Sequence, residues 1–231
     1  MSELSDDPVG ACLSRLNALA DPERAAQALV YHKVPRAYLG IAVPVLTELA
    51  KDLRAQTDLE GRIALADGLW QSDIHEARIL AAKLLTQARI RPDEAVWRLI
   101  VSWVPTFDAW AIADHACDAG ERRLLADPSR LDEVEEWTRS EHMWTRRAAL
   151  VITLPWTKQN HPSEADLAVR DRVLGWAARY VDDRDWFIQK AIAWWLRDLG
   201  KHAPARARAF LDEYGARLKP FARKEAGRLL G

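Results

Sequence analysis

Apolar residues recur along this chain at spacings of three and four, and that period runs from one end to the other. Val43, Leu46, Leu49, Ala50 and Leu53 make one stripe of an amphipathic helix. Ile79, Leu80, Ala82, Leu84 and Leu85, with Lys83 among them, occupy nearly every position of a shorter stretch, the pattern of a helix buried on most sides. No segment alternates with period two, so no half-buried strand is predicted. Thr57-Asp58-Leu59-Glu60 and Asp73-Ile74-His75-Glu76 read as helix starts closed by capping boxes, and Pro162-Ser163 as a third start. Gly40, Gly120, Gly200 and Gly215 stand where helices are expected to stop. Connections are short and no Gly/Ser or Pro-rich linker divides the chain. The expectation is all-α, with one domain spanning residues 1–231.

The helical pattern also repeats weakly. Asp73-Ile74-His75-Glu76-Ala77-Arg78-Ile79-Leu80-Ala81-Ala82, Glu141-His142-Met143-Trp144-Thr145-Arg146-Arg147-Ala148-Ala149-Leu150 and Arg184-Asp185-Trp186-Phe187-Ile188-Gln189-Lys190-Ala191-Ile192-Ala193 share one form. Each opens on polar residues, places a bulky residue or His next, then a base three positions on, then an alanine-rich run. Phe107 to Cys117 fits the same frame and puts Asp114 in the position of Arg78, Arg147 and Lys190. These positions are 36, 33 and 43 residues apart. Irregular periods of that size, with two helices per unit, predict HEAT-like repeats: stacked antiparallel helix pairs in an α-solenoid with a concave face. Three cations on that face suit a phosphate backbone. A lone carboxylate among them would be repelled by such a ligand unless chemistry required it.

Composition narrows the picture without changing it. Hydrophobic residues at 49 % and charged residues at 29 % exclude a disordered chain. No apolar run reaches the roughly 18–20 residues of a membrane span. Met1-Ser2-Glu3-Leu4-Ser5-Asp6-Asp7 is acidic and lacks the regions of a signal peptide, so a cytoplasmic protein without a membrane partner is expected. Cys12 and Cys117 are too few and too far apart for a disulfide framework, and Cys117 reads as a small buried thiol. There is no glycine-rich phosphate loop, zinc-spaced cysteine set or His-Glu-x-x-His, and His32, His75, His115, His142, His161 and His202 are scattered. Neither metal nor organic cofactor is expected.

A net charge of −1 argues mildly against a nucleic-acid partner, but its distribution matters more. Lys201, Arg206, Arg208, Arg217, Lys219, Arg223, Lys224 and Arg228 crowd the last stretch, against Asp212, Glu213 and Glu225. Acid gathers elsewhere, as in Asp132, Glu133, Glu135 and Glu136. Both a basic face and a solvated surface of mixed charge fit this pattern.

Most of the 11 tryptophans must be core, and Trp70, Trp97, Trp137, Trp156 and Trp176 sit in apolar stripes. Three have informative neighbours. Trp110 and Asp114 are one helical turn apart; Trp144 precedes Arg147 by three; Trp194 follows Lys190 by four and precedes Arg197 by three. Aromatic planes, one carboxylate and several cations can hold a nucleotide, with rings on sugar or base and cations on phosphate. Core packing with surface ion pairs accounts for the same spacings, which do not choose between the two.

Several strings together resemble the DNA alkylation repair enzymes of the AlkD type, HEAT-like-repeat DNA glycosylases. Tyr31-His32-Lys33 with Tyr38-Leu39-Gly40-Ile41 and Pro44 resembles the family's opening segment. Leu69-Trp70 with Glu76-Ala77-Arg78 resembles its second signature. Trp110-Ala111-Ile112-Ala113-Asp114 is similar to the Trp-x-x-x-Asp that carries the family's catalytic carboxylate. Trp144-Thr145-Arg146-Arg147-Ala148 and Phe187-Ile188-Gln189-Lys190-Ala191-Ile192-Ala193-Trp194 match two further strings, in order and over nearly the whole chain.

The resemblance implies hydrolytic excision of purines alkylated at N3 or N7, such as 7-methylguanine and 3-methyladenine, from duplex DNA by a monomer. Such a base is already cationic and leaves without a general acid, and the sugar left behind is oxocarbenium-like. On this reading Asp114 stabilises the sugar and positions water, Trp110 and Trp194 pack against the deoxyribose, and Arg147 holds the phosphate. Tyr31, Lys33, Arg78, Trp144, Lys190, Arg197, Arg223 and Lys224 are the expected DNA contacts. The family is also unusual among glycosylases in not needing a base-flipping pocket. Ala111 stands where close relatives often carry an acid, read as loss of a supporting group rather than of the activity. Relatives that keep the fold without excision exist, so a non-catalytic scaffold binding DNA or protein is the alternative. An enzyme directed to bulkier cationic adducts is a third.

Overall fold

The structure, a computed structural model, describes residues 7–230, and among these it is built from thirteen α-helices joined by short turns. No strand is present among them; Ala37 and Ile74 make one isolated bridge. The chain divides into two compact units, residues up to Arg123 and residues from Leu124 onward.

In the first unit the helices are α1 (Pro8–Ala18), α2 (Pro22–His32), α3 (Val43–Gln56), α4 (Leu59–Gln71), α5 (His75–Leu84), α6 (Glu94–Trp103) and most of α7 (Trp110–Ala126). Helices α3 and α4 both pack on α5. That explains the nearly continuous apolar run of α5, whose Ile79, Leu80, Ala81, Ala82 and Leu84 are all buried. Trp70 lies flat on Trp103, ring centroids 4.3 Å apart, and its indole nitrogen donates to Thr106 Oγ1 at 3.0 Å. A buried indole therefore keeps its polar edge satisfied while contributing its area to the core.

The second unit contains α8 (Leu131–Trp137), α9 (Met143–Val151), α10 (Glu164–Arg179), α11 (Trp186–His202), α12 (Pro204–Tyr214) and α13 (Pro220–Ala226). Helix α11 is its hub and packs against α9, α12 and α13. Ile188, Ile192, Trp195, Leu196 and Leu199 of α11 are buried. Trp195 donates to Thr153 Oγ1 at 3.2 Å, and Trp156 to Asp166 at 3.1 Å. Trp70, Trp97, Trp137, Trp156 and Trp176 are all buried, as their stripes predict, and so are Trp103 and Trp195.

Helix α4 starts where expected but without the Thr57–Glu60 box: Asp58 is its cap, accepting from the Gly61 N–H at 2.8 Å, while Thr57 donates to the Leu53 carbonyl at the end of α3. Ser163 starts α10 and closes a capping box with Asp166. The start at 73–76 differs. Ile74 is the N-cap of α5 with no side-chain cap, and Asp73 is left-handed at φ 54°. The Glu76 carboxylate instead accepts from the backbone N–H groups of Leu39 and Gly40, each at 2.8 Å. A distant pair of unsatisfied donors has won over the helix's own end.

The glycines differ too. Gly215 does end α12, but Gly120 and Gly200 lie inside α7 and α11. Gly200 permits close packing: a Cβ there would stand 3.0 Å from Leu230 Cδ2. Gly40 lies between helices at φ 74°, where a Cβ would collide with the Asp21 carbonyl oxygen and the Ala25 nitrogen. Helix α2 stops instead at Lys33, itself left-handed at φ 58°.

Candidate functional site

In the first unit the candidate residues gather where α7 begins. Trp110 is its first residue and Asp114 lies one turn on. Trp110 is 36 % exposed and Asp114 half-buried, so both can meet a ligand, whereas the other tryptophans of this unit are buried. Ala111 is buried and presents only a methyl group where an acid was expected to be missing.

The end of α2 brings two rings to Trp110. Tyr31 meets it edge-on at 6.2 Å between centroids, and His32 at 5.6 Å. Behind His32 stand Tyr38, parallel to it at 5.8 Å, and His75, the first residue of α5, at 4.5 Å. Burial lowers the basicity of both imidazoles. His75 is pushed down to about 3, first by burial and then by repulsion from His32, Arg36 and His115. The unfolded chain therefore takes up a proton at the ordinary histidine value of 6.5 while the folded one refuses it. Stability from this group is complete above that value and drains away as pH falls toward 3. We expect about 3 kcal/mol to be lost by pH 4, seen as a falling melting temperature, and a His75→Phe variant to flatten that fall.

Ion pairs hold the same region. Arg36, whose side chain is buried, pairs with Asp108 two residues before Trp110, and with Asp73 at 3.3 Å. Arg78 donates to the Trp70 carbonyl at 3.0 Å, lies 5.1 Å over the Trp70 ring and pairs with Asp73 at 3.2 Å. Its guanidinium is engaged by its own unit. Tyr31 and Lys33 are exposed.

In the second unit Arg147 is buried and stands 5.6 Å over Trp144, which packs at 4.6 Å against Phe187. Its neighbour Arg146 takes a separate task, donating to the Ser140 and Glu141 carbonyls and pairing with Asp183 at 2.9 Å. Along α11, Trp186, Lys190, Ala193, Trp194 and Arg197 form one stripe facing Phe221 and Glu225 of α13, and together they line a groove of about 450 Å³. Trp194 donates to Asp198 at 3.1 Å, which fixes its ring. Arg197 pairs with Glu225 and Asp198, whereas Lys190 is exposed and lies 4.5 Å over Trp186. Arg223 and Lys224 are exposed on α13.

Asp114, Arg147 and Lys190 are each the fifth residue of their helices, α7, α9 and α11, and Arg78 is the fourth of α5. The repeat frame therefore corresponds to helix register. His32, His75, Trp186 and Phe221 were not singled out from sequence. Only an aromatic residue at a helix end could have signalled them, and that is equally a core signal. Among the described residues no group of three or more His, Cys, Asp or Glu is placed to hold a metal ion, and no helix is long and apolar enough to cross a membrane.

The pattern of the family described as DNA alkylation repair enzyme matches residues 12–230. Among solved structures, a predicted DNA alkylation repair enzyme from Enterococcus faecalis is similar with a TM-score of 0.77 at 23 % identity, over 92 % of this chain and 97 % of that one. AlkD2 from Streptococcus mutans gives 0.61 at 19 % identity over 82 % and 88 %. The protein smu.31 from Streptococcus mutans UA159 gives 0.63 at 20 % identity over 82 % and 93 %. No curated protein matches the sequence.

Proposed function

This chain belongs to the DNA alkylation repair enzyme family, and from that premise we propose that it is a DNA glycosylase releasing cationic N3- and N7-alkylated purines from duplex DNA. The observation that carries this reading is the pairing of Trp110 and Asp114 at the start of α7, where the position that holds a cation in α5, α9 and α11 holds an acid one turn from an accessible indole. An alkylated purine departs as a neutral molecule, so the protein must answer only the positive charge left on the sugar. A carboxylate one turn from an aromatic face supplies that answer, together with an acceptor for the attacking water. The work requires no metal or organic cofactor, and a monomer suffices.

In the second unit, exposed Lys190 on Trp186 presents a cation backed by an aromatic plane, suited to a phosphate of the backbone, while Arg147 lies buried over Trp144. Trp194, held by Asp198, offers a ring to deoxyribose. Arg147→Ala is expected to weaken DNA affinity about tenfold and to slow excision, and wild-type affinity to fall steeply with salt. Titration of labelled duplex at two salt concentrations measures both, with a melting curve to confirm the variant's fold. Affinity indifferent to salt would count against phosphate recognition.

The deciding experiment is release of 7-methylguanine from methylated duplex by the wild-type protein beside an Asp114 variant. No release above the spontaneous rate by the wild type would leave a DNA-binding scaffold as the reading.

A further inference from the structure

We propose that His32 is a positioning residue for Trp110 that works only while uncharged: its neutral imidazole seats the indole, and protonating it ends activity on the acid side. The inference rests on the reading of Trp110 and Asp114 as the excision site.

Trp110 is the first residue of α7, so no preceding turn of its own helix flanks its ring, and it is partly open to solvent. The aromatic rings that meet it come from α2, and of these two Tyr31 is itself exposed. His32 is the backed one. Tyr38 lies parallel behind it, His75 is 4.5 Å away, and Tyr31 meets it edge-on at 5.0 Å. A rotation of the imidazole would displace the indole it touches, and the rings behind it prevent that rotation.

On the Nδ1 side this seat offers no partner for a second proton. The Nδ1 atoms of His32 and His75 are both buried without a hydrogen-bond partner. The charges facing the pair are mixed. From the segment before α3, Arg36 opposes a second cation, though it is tied to Asp108 and Asp73. From α5, Glu76 favours one, but its carboxylate is engaged by the Leu39 and Gly40 N–H groups. From α7, His115 adds repulsion at His75, and Asp114 lies one turn beyond Trp110. On α2 itself Lys33 follows directly. Burial outweighs the attraction of Glu76, and the imidazole prefers to stay neutral.

Charging it has two consequences, both adverse. A cation must be solvated, which pulls the ring from its stack and releases Trp110. It also places positive charge beside a site whose substrate base and transition-state sugar are positive, where like charges repel strongly in poorly screened surroundings. His75, neutral down to about pH 3, is the passive backing, and His32, lowered by burial from the ordinary histidine value, is the ring that touches Trp110.

The test is single-turnover release of 7-methylguanine from pH 8 to pH 5, less the spontaneous rate, with DNA affinity measured at each pH. For the wild type the rate is expected to steepen toward a tenfold fall per pH unit while affinity stays within about twofold. His32→Phe keeps a ring that cannot be charged, so its rate at pH 5 relative to pH 8 should stay nearly level, whatever its plateau; His32→Gln serves if the first variant melts early. An acid limb unchanged in these variants overturns the proposal. A second readout does not depend on excision. The indole N–H resonance of Trp110, assigned by its loss in Trp110→Phe, should move with the His32 imidazole titration and cease to move in His32→Phe. If the wild type excises at no pH, the glycosylase reading fails while this resonance still decides whether His32 governs Trp110. A resonance indifferent to that titration overturns the proposal.

Discussion

Replacing Asp114 by asparagine is expected to slow 7-methylguanine release at least a hundredfold while duplex affinity stays within about threefold. The substitution preserves size and hydrogen-bonding reach, so the packing at the start of α7 is kept and only the charge is removed. Fixed charge aimed at a developing opposite charge is worth about 3–4 kcal/mol in comparable sites, and a hundredfold loss is the low end of that range. Binding behaves otherwise, because duplex affinity comes mainly from cations on the phosphates, to which this carboxylate contributes nothing favourable. Single-turnover release and equilibrium titration separate the two effects. A variant releasing base within tenfold of the wild type would remove Asp114 from the mechanism. Unchanged release with intact binding would place the charge elsewhere.

The second large effect concerns stability. Glu76→Ala removes the acceptor that Leu39 and Gly40 share and strands two N–H groups, one of them fully buried. Each buried donor left without a partner costs about 1–3 kcal/mol, so a loss of about 3 kcal/mol or more is expected. In a unit of this size that lowers the melting temperature by more than about 10 °C. Glu76→Gln keeps one acceptor oxygen and should recover about half. The loss should fall on the first unit, and hydrogen exchange at Leu39 and Gly40 locates it. Equal melting temperatures for wild type and Glu76→Ala would mean that water replaces the carboxylate.

This pair of hydrogen bonds also shows where sequence reasoning runs out. Leu39-Gly40 and Glu76-Ala77-Arg78 are both recognisable strings, but nothing in either says that one binds the other. Local rules assign Glu76 to the end of its own helix, since a carboxylate three residues into a helix usually reaches back to its cap. The competing donors are 36 and 37 residues away, and only the folded chain brings them within reach. Arg78 has the same history. In the repeat it is one more cation beside Arg147 and Lys190; in the structure Trp70 and Asp73 engage it.

The sequence by itself determined the helices, the buried tryptophans, the register that places Asp114 where its counterparts carry cations, and the family. All of these depend on residue type at local spacing, and the 3.6-residue period converts spacing into a face without reference to the rest of the molecule. Tertiary structure alone decided which polar groups remain available. Arg197 is paired and Lys190 exposed, Trp194 is pinned by Asp198, and two histidines that read as scattered became the backing of Trp110. The reason is physical: a buried polar group must find a partner or lose its charge, and that choice is made among neighbours distant in sequence.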